Sequence, residues 1–96
     1  MDKHLYRTMT HEDVNEAVLQ GRVVLIPVGQ LETHGVHLPI DVDVVQVQYV
    51  VDEAAARAPD VLVAAPPIYY GFSEHVMDFP GTMNIRVANA HSGEFV

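Results

Sequence analysis

Ninety-six residues make one small domain or part of a larger one, with a core limited to about 60–65% of the unfolded surface. Hydrophobic residues at 49% and charged residues at 19% exclude a disordered tail, and a net charge of −8 excludes nucleic acid, whose phosphates need a basic face. The same charge suits cation binding or a plain solvated acidic surface, and the lack of cysteine excludes disulfides and thiolate metal sites.

The chain opens with MDKHLYRTMTHEDV, which has an acidic second residue and no apolar h-region, so it does not read as a signal peptide. No apolar run approaches the length of a membrane span, and the expected location is cytoplasmic. Thr10 to Gln20 reads as a short helix. Thr10 can cap it with Asp13 three residues on, Val14, Ala17 and Val18 form its apolar stripe, and Gly21 ends it.

Val23 to Val28 is an unbroken apolar run rich in β-branched residues, which fits a strand covered on both faces, although Pro27 cannot donate to a ladder. From Asp43 to Ala58 the pattern is helical. Val44, Val47, Val51, Ala54, Ala55 and Ala58 recur mainly at three- and four-residue steps, with Gln48, Asp52 and Glu53 on the polar side. Pro59-Asp60 stops that helix, and Val61 to Pro67 is a second strand.

Strand, helix and strand make a βαβ unit, whose crossover should be right-handed. Its two strands leave a sheet edge open, which invites a second copy of the chain in a homo-oligomer or a complementary C-terminal half.

Between the first strand and the second helix lies GQLETHGVHLPIDVD, Gly29 to Asp43, beyond the carboxyl end of a strand, where open α/β sheets place their ligands. Glu32 and His34 are two apart, so an extended backbone turns both to one side. Asp43, opening the helix, can point back toward them. Carboxylates and imidazole without thiolate suit zinc, manganese or iron. Gly35 permits a tight path to His37, and Pro39 stiffens the return. The plainer alternative is that Asp41 or Asp43 is a helix cap and the histidines are solvated, and on these residues alone the two readings stand level.

The stretch PVGQLETHGVHLPIDVD resembles the first signature of the creatininase family, the creatinine amidohydrolases and their relatives. It has the Glu-x-His-Gly-x-His-Leu-Pro core and an aspartate eleven residues after the glutamate. A second block, YYGFSEHVMDFPGTMNI from Tyr69 to Ile85, resembles the family's Tyr-Gly-x-Ser…Glu-His…Phe-Pro-Gly-Thr segment. The resemblance covers about residues 22–85.

It implies that residues 1–96 are a single domain, the N-terminal βαβ portion of a three-layer α/β/α sandwich with a mainly parallel sheet. It further implies hydrolysis of a C–N bond in a small cyclic or linear amide at a site holding two divalent metals, zinc or manganese with iron admissible. Carried over, Glu32 would bind one metal, His34 the other, and Asp43 both, a bridging arrangement that lets two cations sit about 3.5–4 Å apart.

His37 is either a donor orienting a ligand carboxylate or a packing residue. Tyr70, Ser73, Glu74 and His75 would line the substrate pocket, with Tyr69 and Tyr70 as wall and His75 as apt for a substrate-side or structural hydrogen bond as for a catalytic role. Pro80-Gly81-Thr82 reads as a turn. Asp41 stands where the family usually has a small residue, an extra carboxylate able to alter metal preference. His4, His11 and His91 match nothing in the pattern and read as surface residues.

The family's remaining ligands lie in an Asn-Gly-His-Gly-Gly-Asn-type segment that this sequence lacks. His91 and Glu94 make poor substitutes, with no strand before them and Ser-Gly between. The expectation is therefore an amidohydrolase represented by its N-terminal part and inactive alone. The competing expectation is a non-catalytic interaction or regulatory module that pairs through its open sheet edge.

Overall fold

The computed structural model describes residues 3–85 and the backbone of 94–95. The chain gathers into two compact units, Met1–Pro27 with Val47–Pro67, and Val28–Gln46 with Ile68–Val96.

The first unit begins with a 3-10 turn, Tyr6–Thr8, and helix α1, His11–Leu19. Thr10 starts α1 as expected. Its hydroxyl accepts from the Asp13 N–H, and the Asp13 carboxylate accepts from the Thr10 N–H, which closes a reciprocal capping box. Gly21 follows in the left-handed region at φ 66°, and the helix stops there. Of the expected stripe, Ala17 is buried and Val14 half-buried, but Val18 is exposed.

Strand β1, Val23–Leu25, pairs in parallel with β2, Leu62–Ala64, and helix α2, Val42–Arg57, connects them in sequence. This is the expected βαβ order, with both strands shorter than the apolar runs that contain them. Proline is the reason. Pro27 after β1 and Pro66-Pro67 after β2 offer no N–H, so the ladder stops at Leu25 and Ala64. Beside β2, Leu5 forms a parallel bridge to Ala64, and the Ala64 N–H donates to the His4 carbonyl. Arg22 ties these pieces together, its Nη2 donating to the carbonyls of Lys3 and Leu62.

The expectation that β1 is covered on both faces is not met. Val23 and Val24 are each about half exposed, whereas Val63 and Ala64 on β2 are buried. Successive side chains point to opposite faces, so the described residues leave both faces of β1 partly open. In α2, Ala55 is buried, and Val47, Val51 and Ala54 are half-buried as the periodicity requires. The expected polar side is not the exposed one: Gln48, Asp52 and Glu53 are half-buried too, Asp52 beside Arg7, while Tyr49 and Val50 face outward.

The second unit holds the loop after β1, the first turn of α2, and residues from Ile68 onward. Extended pairing resumes past the prolines with a parallel bridge between Val28 and Ile68, and the N–H groups of Gly29 and Leu31 donate to the carbonyls of Ile68 and Tyr69. A 3-10 turn spans Glu74–Val76.

Two further strands, not expected from the sequence, follow: β3, Met83–Asn84, pairs antiparallel with β4, Glu94–Phe95. At two residues each they are too short to carry a hydrophobic period. Among the described residues no helix is long and apolar enough to cross a membrane.

Candidate metal centre

The loop from Glu32 to Ile40 is closed at its base, where the Glu32 N–H donates to the Ile40 carbonyl. Inside it, Gly35 adopts φ 77°, a left-handed conformation open to glycine, and reverses the chain after His34. The chain then enters α2. The Asp41 carbonyl accepts from the Val45 N–H, so Asp41 takes the cap position and Asp43 falls in the first helical turn. Of the two aspartates, Asp41 is thus the one at the cap position. Asp41 is exposed at the cap, and Asp43 turns toward the loop. The positive end of the helix dipole favours a carboxylate at that place.

Gly29 makes this approach feasible. A Cβ there would lie 2.7 Å from Val44 Cγ2 and 2.8 Å from Val44 Cα, so only a residue without a side chain lets the two segments meet. Val44 itself is 2% exposed and anchors the start of α2.

One ligand atom from each of Glu32, His34 and Asp43 lies within 4.8 Å of the others, and all three residues are half-buried. His34 Nε2 stands 3.4 Å from Asp43 Oδ2, yet it makes no hydrogen bond and is buried without a partner. A buried imidazole nitrogen left unpaired beside a carboxylate is unfavourable unless something accepts its lone pair. Ligands held at about 2.1 Å around a tetrahedral ion stand about 3.4 Å apart, so the observed separation suits a shared cation. By donor type, spacing and unpaired nitrogen, these residues fit a divalent metal.

Glu32 is held in turn by Ser73, whose Oγ donates to Oε2 at 2.8 Å. Ser73 is buried at 2% exposure, with its N–H donating to Asn84 Oδ1 at 2.6 Å. Thr82 Oγ1 accepts from the Thr33 N–H at 2.9 Å. Gln30 Nε2 donates to the Met83 carbonyl, and the Met83 N–H to that of Leu31.

Sequence reasoning passed over Thr82 as part of a turn and did not single out Asn84. The signal available was polar residues two apart after Pro-Gly, facing one side of a short strand.

The other expected site residues are more exposed. His37 is exposed, makes no hydrogen bond among the described residues, and rests its ring against Gly35. Tyr70 is 47% exposed, its ring tilted against Tyr69 with centroids 6.1 Å apart. Glu74 and His75 are exposed on the 3-10 turn. His11 lies at the surface as expected, His4 is half-buried, and His91 and the Glu94 side chain lie outside the described residues.

Known proteins resemble this chain in sequence and in fold. The sequence profile of the Creatininase family, described as creatinine amidohydrolase, matches residues 7–92. The chain is 43% identical over 70 residues to a mycofactocin precursor peptide peptidase of Mycolicibacterium smegmatis, covering 69% of this chain and 28% of that protein. It is 30% identical over 82 residues to a 3-dehydro-scyllo-inosose hydrolase of Thermotoga maritima, covering 84% and 26% respectively. A solved structure of a mutant creatininase superposes with a TM-score of 0.78 at 30% identity, over 90% of this chain and 35% of the other.

The chain thus spans between a quarter and a third of the length of these curated relatives, at 28% and 26%. The helices and the parallel β1–β2 pair are consistent with part of the α/β fold of that creatininase. The chain belongs to the creatininase family.

Proposed function

We propose that Glu32, His34 and Asp43 hold divalent metal, zinc or manganese with iron admissible, as this chain's share of a two-metal centre that hydrolyses a C–N bond of a small amide. The observation that carries the reading is the convergence of the three donors around a buried His34 nitrogen with no other partner. Metal dependence is general in the family, and both named relatives are hydrolases whose substrates differ, a precursor peptide in one and 3-dehydro-scyllo-inosose in the other. Hydrolysis is what they share; an inosose has no amide, so the amide class proposed here rests on the family's description as creatinine amidohydrolase.

When bound, divalent cations acidify a coordinated water and polarise a carbonyl. The chain's own residues supply the setting for that chemistry. Asp43, placed by the first turn of α2, would be a ligand to both metals. Glu32 presents a carboxylate fixed by Ser73. Tyr70, Glu74, His75 and His37 are exposed side chains of the same unit and are offered to the substrate. The family match runs through both compact units, which supports treating residues 1–96 as one domain.

With two protein ligands per metal, counting Asp43 twice, the 96-residue polypeptide is expected to bind metal weakly and to turn over no amide. Metal content after loading with Mn²⁺ or Zn²⁺, measured beside amide hydrolysis for the chain and for Glu32→Gln, His34→Ala and Asp43→Asn, tests this. Loss of metal in all three variants supports the ligand assignment. Unchanged metal content refutes it, and two tightly held metals with turnover refute the claim that the polypeptide does not act alone.

A second reading is favoured by β1, which among the described residues pairs with β2 on one side while Leu5 takes the far side of β2: a non-catalytic module that pairs through the open β1 edge, with itself or with a complementary C-terminal half. It requires an oligomer indifferent to chelator and to Glu32→Ala. An assembly dissolved by chelation would exclude it.

A further inference from the structure

Thr82 and Asn84 are each 0% exposed, and neither belongs to the proposed ligand set. Interiors favour apolar side chains, and a buried polar group calls for a partner that explains it. Here both side chains serve as acceptors for backbone N–H groups of the segments that carry the site. Thr82 Oγ1 takes the N–H of Thr33, the residue between Glu32 and His34. Asn84 Oδ1 takes the N–H of Ser73, whose hydroxyl donates to Glu32 Oε2.

Two apart along an extended backbone, the two side chains stand on one side of the strand. The assignment of Oδ1 follows from chemistry, since an N–H needs an acceptor and the amide nitrogen is none. Asn84 Nδ2 is left buried and unpaired among the described residues, so its amide is a costly choice for filling space.

We propose that Thr82 and Asn84 are positioning residues for the Glu32 carboxylate. Thr82 fixes its backbone through Thr33, and Asn84 fixes its Oε2 oxygen through Ser73. The inference rests on reading Glu32 as a metal ligand and adds what sets its orientation. A ligand carboxylate stopped from rotating loses less freedom on binding a cation, and removal of such outer partners typically weakens metal binding by about 10- to 100-fold.

Co²⁺ titration of the 96-residue chain, followed by its visible absorption, is the test. Ser73→Ala, Asn84→Leu and Thr82→Val are each expected to weaken Co²⁺ binding by about 10-fold or more and to alter the spectrum. Asn84→Asp, which keeps an acceptor, is expected to restore most of the affinity. Because Asn84 acts through Ser73, Asn84→Leu should have no further effect in the Ser73→Ala background. Additive losses, or Asn84→Leu and Thr82→Val at wild-type affinity, would overturn the proposal.

Should Asn84→Leu fail to fold, Thr82→Val decides: weakened binding supports positioning, and unchanged binding overturns it. Glu32→Gln separates this proposal from the reading beneath it. If that variant binds Co²⁺ unchanged, the ligand assignment falls and the positioning role with it. If it loses Co²⁺ while the Thr82 and Asn84 variants keep it, the positioning role alone falls.

Discussion

Replacing Gly29 with alanine adds one methyl group at the closest approach between the extended segment after β1 and the start of α2. That Cβ would meet Val44 Cγ2 at 2.7 Å, Val44 Cα at 2.8 Å and Val44 N at 3.0 Å. A flexible side chain could swing aside, but Cα and N move only with the helix. Overpacking of this kind costs about 1–3 kcal/mol. The stiffer unfolded chain of an alanine variant returns about 0.4–1 kcal/mol. The net expectation is a loss of about 1–2 kcal/mol, which for a chain of this size lowers the melting temperature by roughly 4–16 °C.

Urea and thermal denaturation measure it. Because Asp43 precedes Val44, the same variant should also weaken Mn²⁺ binding. Gly21→Ala is the control, since nothing lies within 4 Å of its Cβ position and only the left-handed backbone is strained. A Gly29→Ala protein at wild-type stability with unaltered metal binding would show that the segments are not packed as described.

Thr10→Ala removes the cap of α1 and should cost about 1 kcal/mol in urea denaturation; an unchanged midpoint would contradict the capping box. Asp13 is held at about 2 rather than 3.8, first by the Thr10 N–H and then by the Lys3 ammonium. A depressed carboxyl stabilises the fold fully above its unfolded value, so this contribution should persist above pH 3.8 and be lost as pH falls toward 2. An NMR titration placing Asp13 near 3.8 would refute it. Arg22→Met gives up two hydrogen bonds from a charged donor but also removes the buried, unpaired Nε. The net loss should be about 1–2 kcal/mol in the same denaturation assay, and a gain in stability would mean that the unpaired nitrogen outweighs both bonds.

The parts of the fold legible in the sequence are those with local causes. Thr10 and Asp13 cap a helix through groups three residues apart, and the spacing of Val44, Val47, Val51, Ala54 and Ala55 marks the inward side of α2. β1 was legible as a strand but not in its burial. A run of valine, leucine and isoleucine says that a strand can be covered on both faces, and it does not say by what. Val23 and Val24 stand open because coverage depends on tertiary neighbours, which no local pattern encodes. The strands β3 and β4 escaped notice for the opposite reason, being too short for any period to form.

The candidate site divides along the same line. Its donors were readable because Glu32, His34 and Asp43 sit close together in sequence, two of them on one loop and the third in the next helical turn. What holds the donors was not. Thr33 meets Thr82 across 49 positions, Glu32 meets Ser73 across 41, and Gln30 meets Met83 across 53. A threonine in Pro-Gly-Thr looks like turn chemistry until the fold shows its hydroxyl accepting the Thr33 N–H between two candidate donors. An isolated asparagine in a short strand looks like a poor strand former until its carbonyl oxygen is seen on Ser73.

The geometry that gives a carboxylate a fixed direction is thus distributed over distant residues, while the carboxylate itself announces its chemistry locally. A substitution at Thr82 or Asn84 would leave the metal-ligand pattern of the sequence intact and still unsettle the group that carries it.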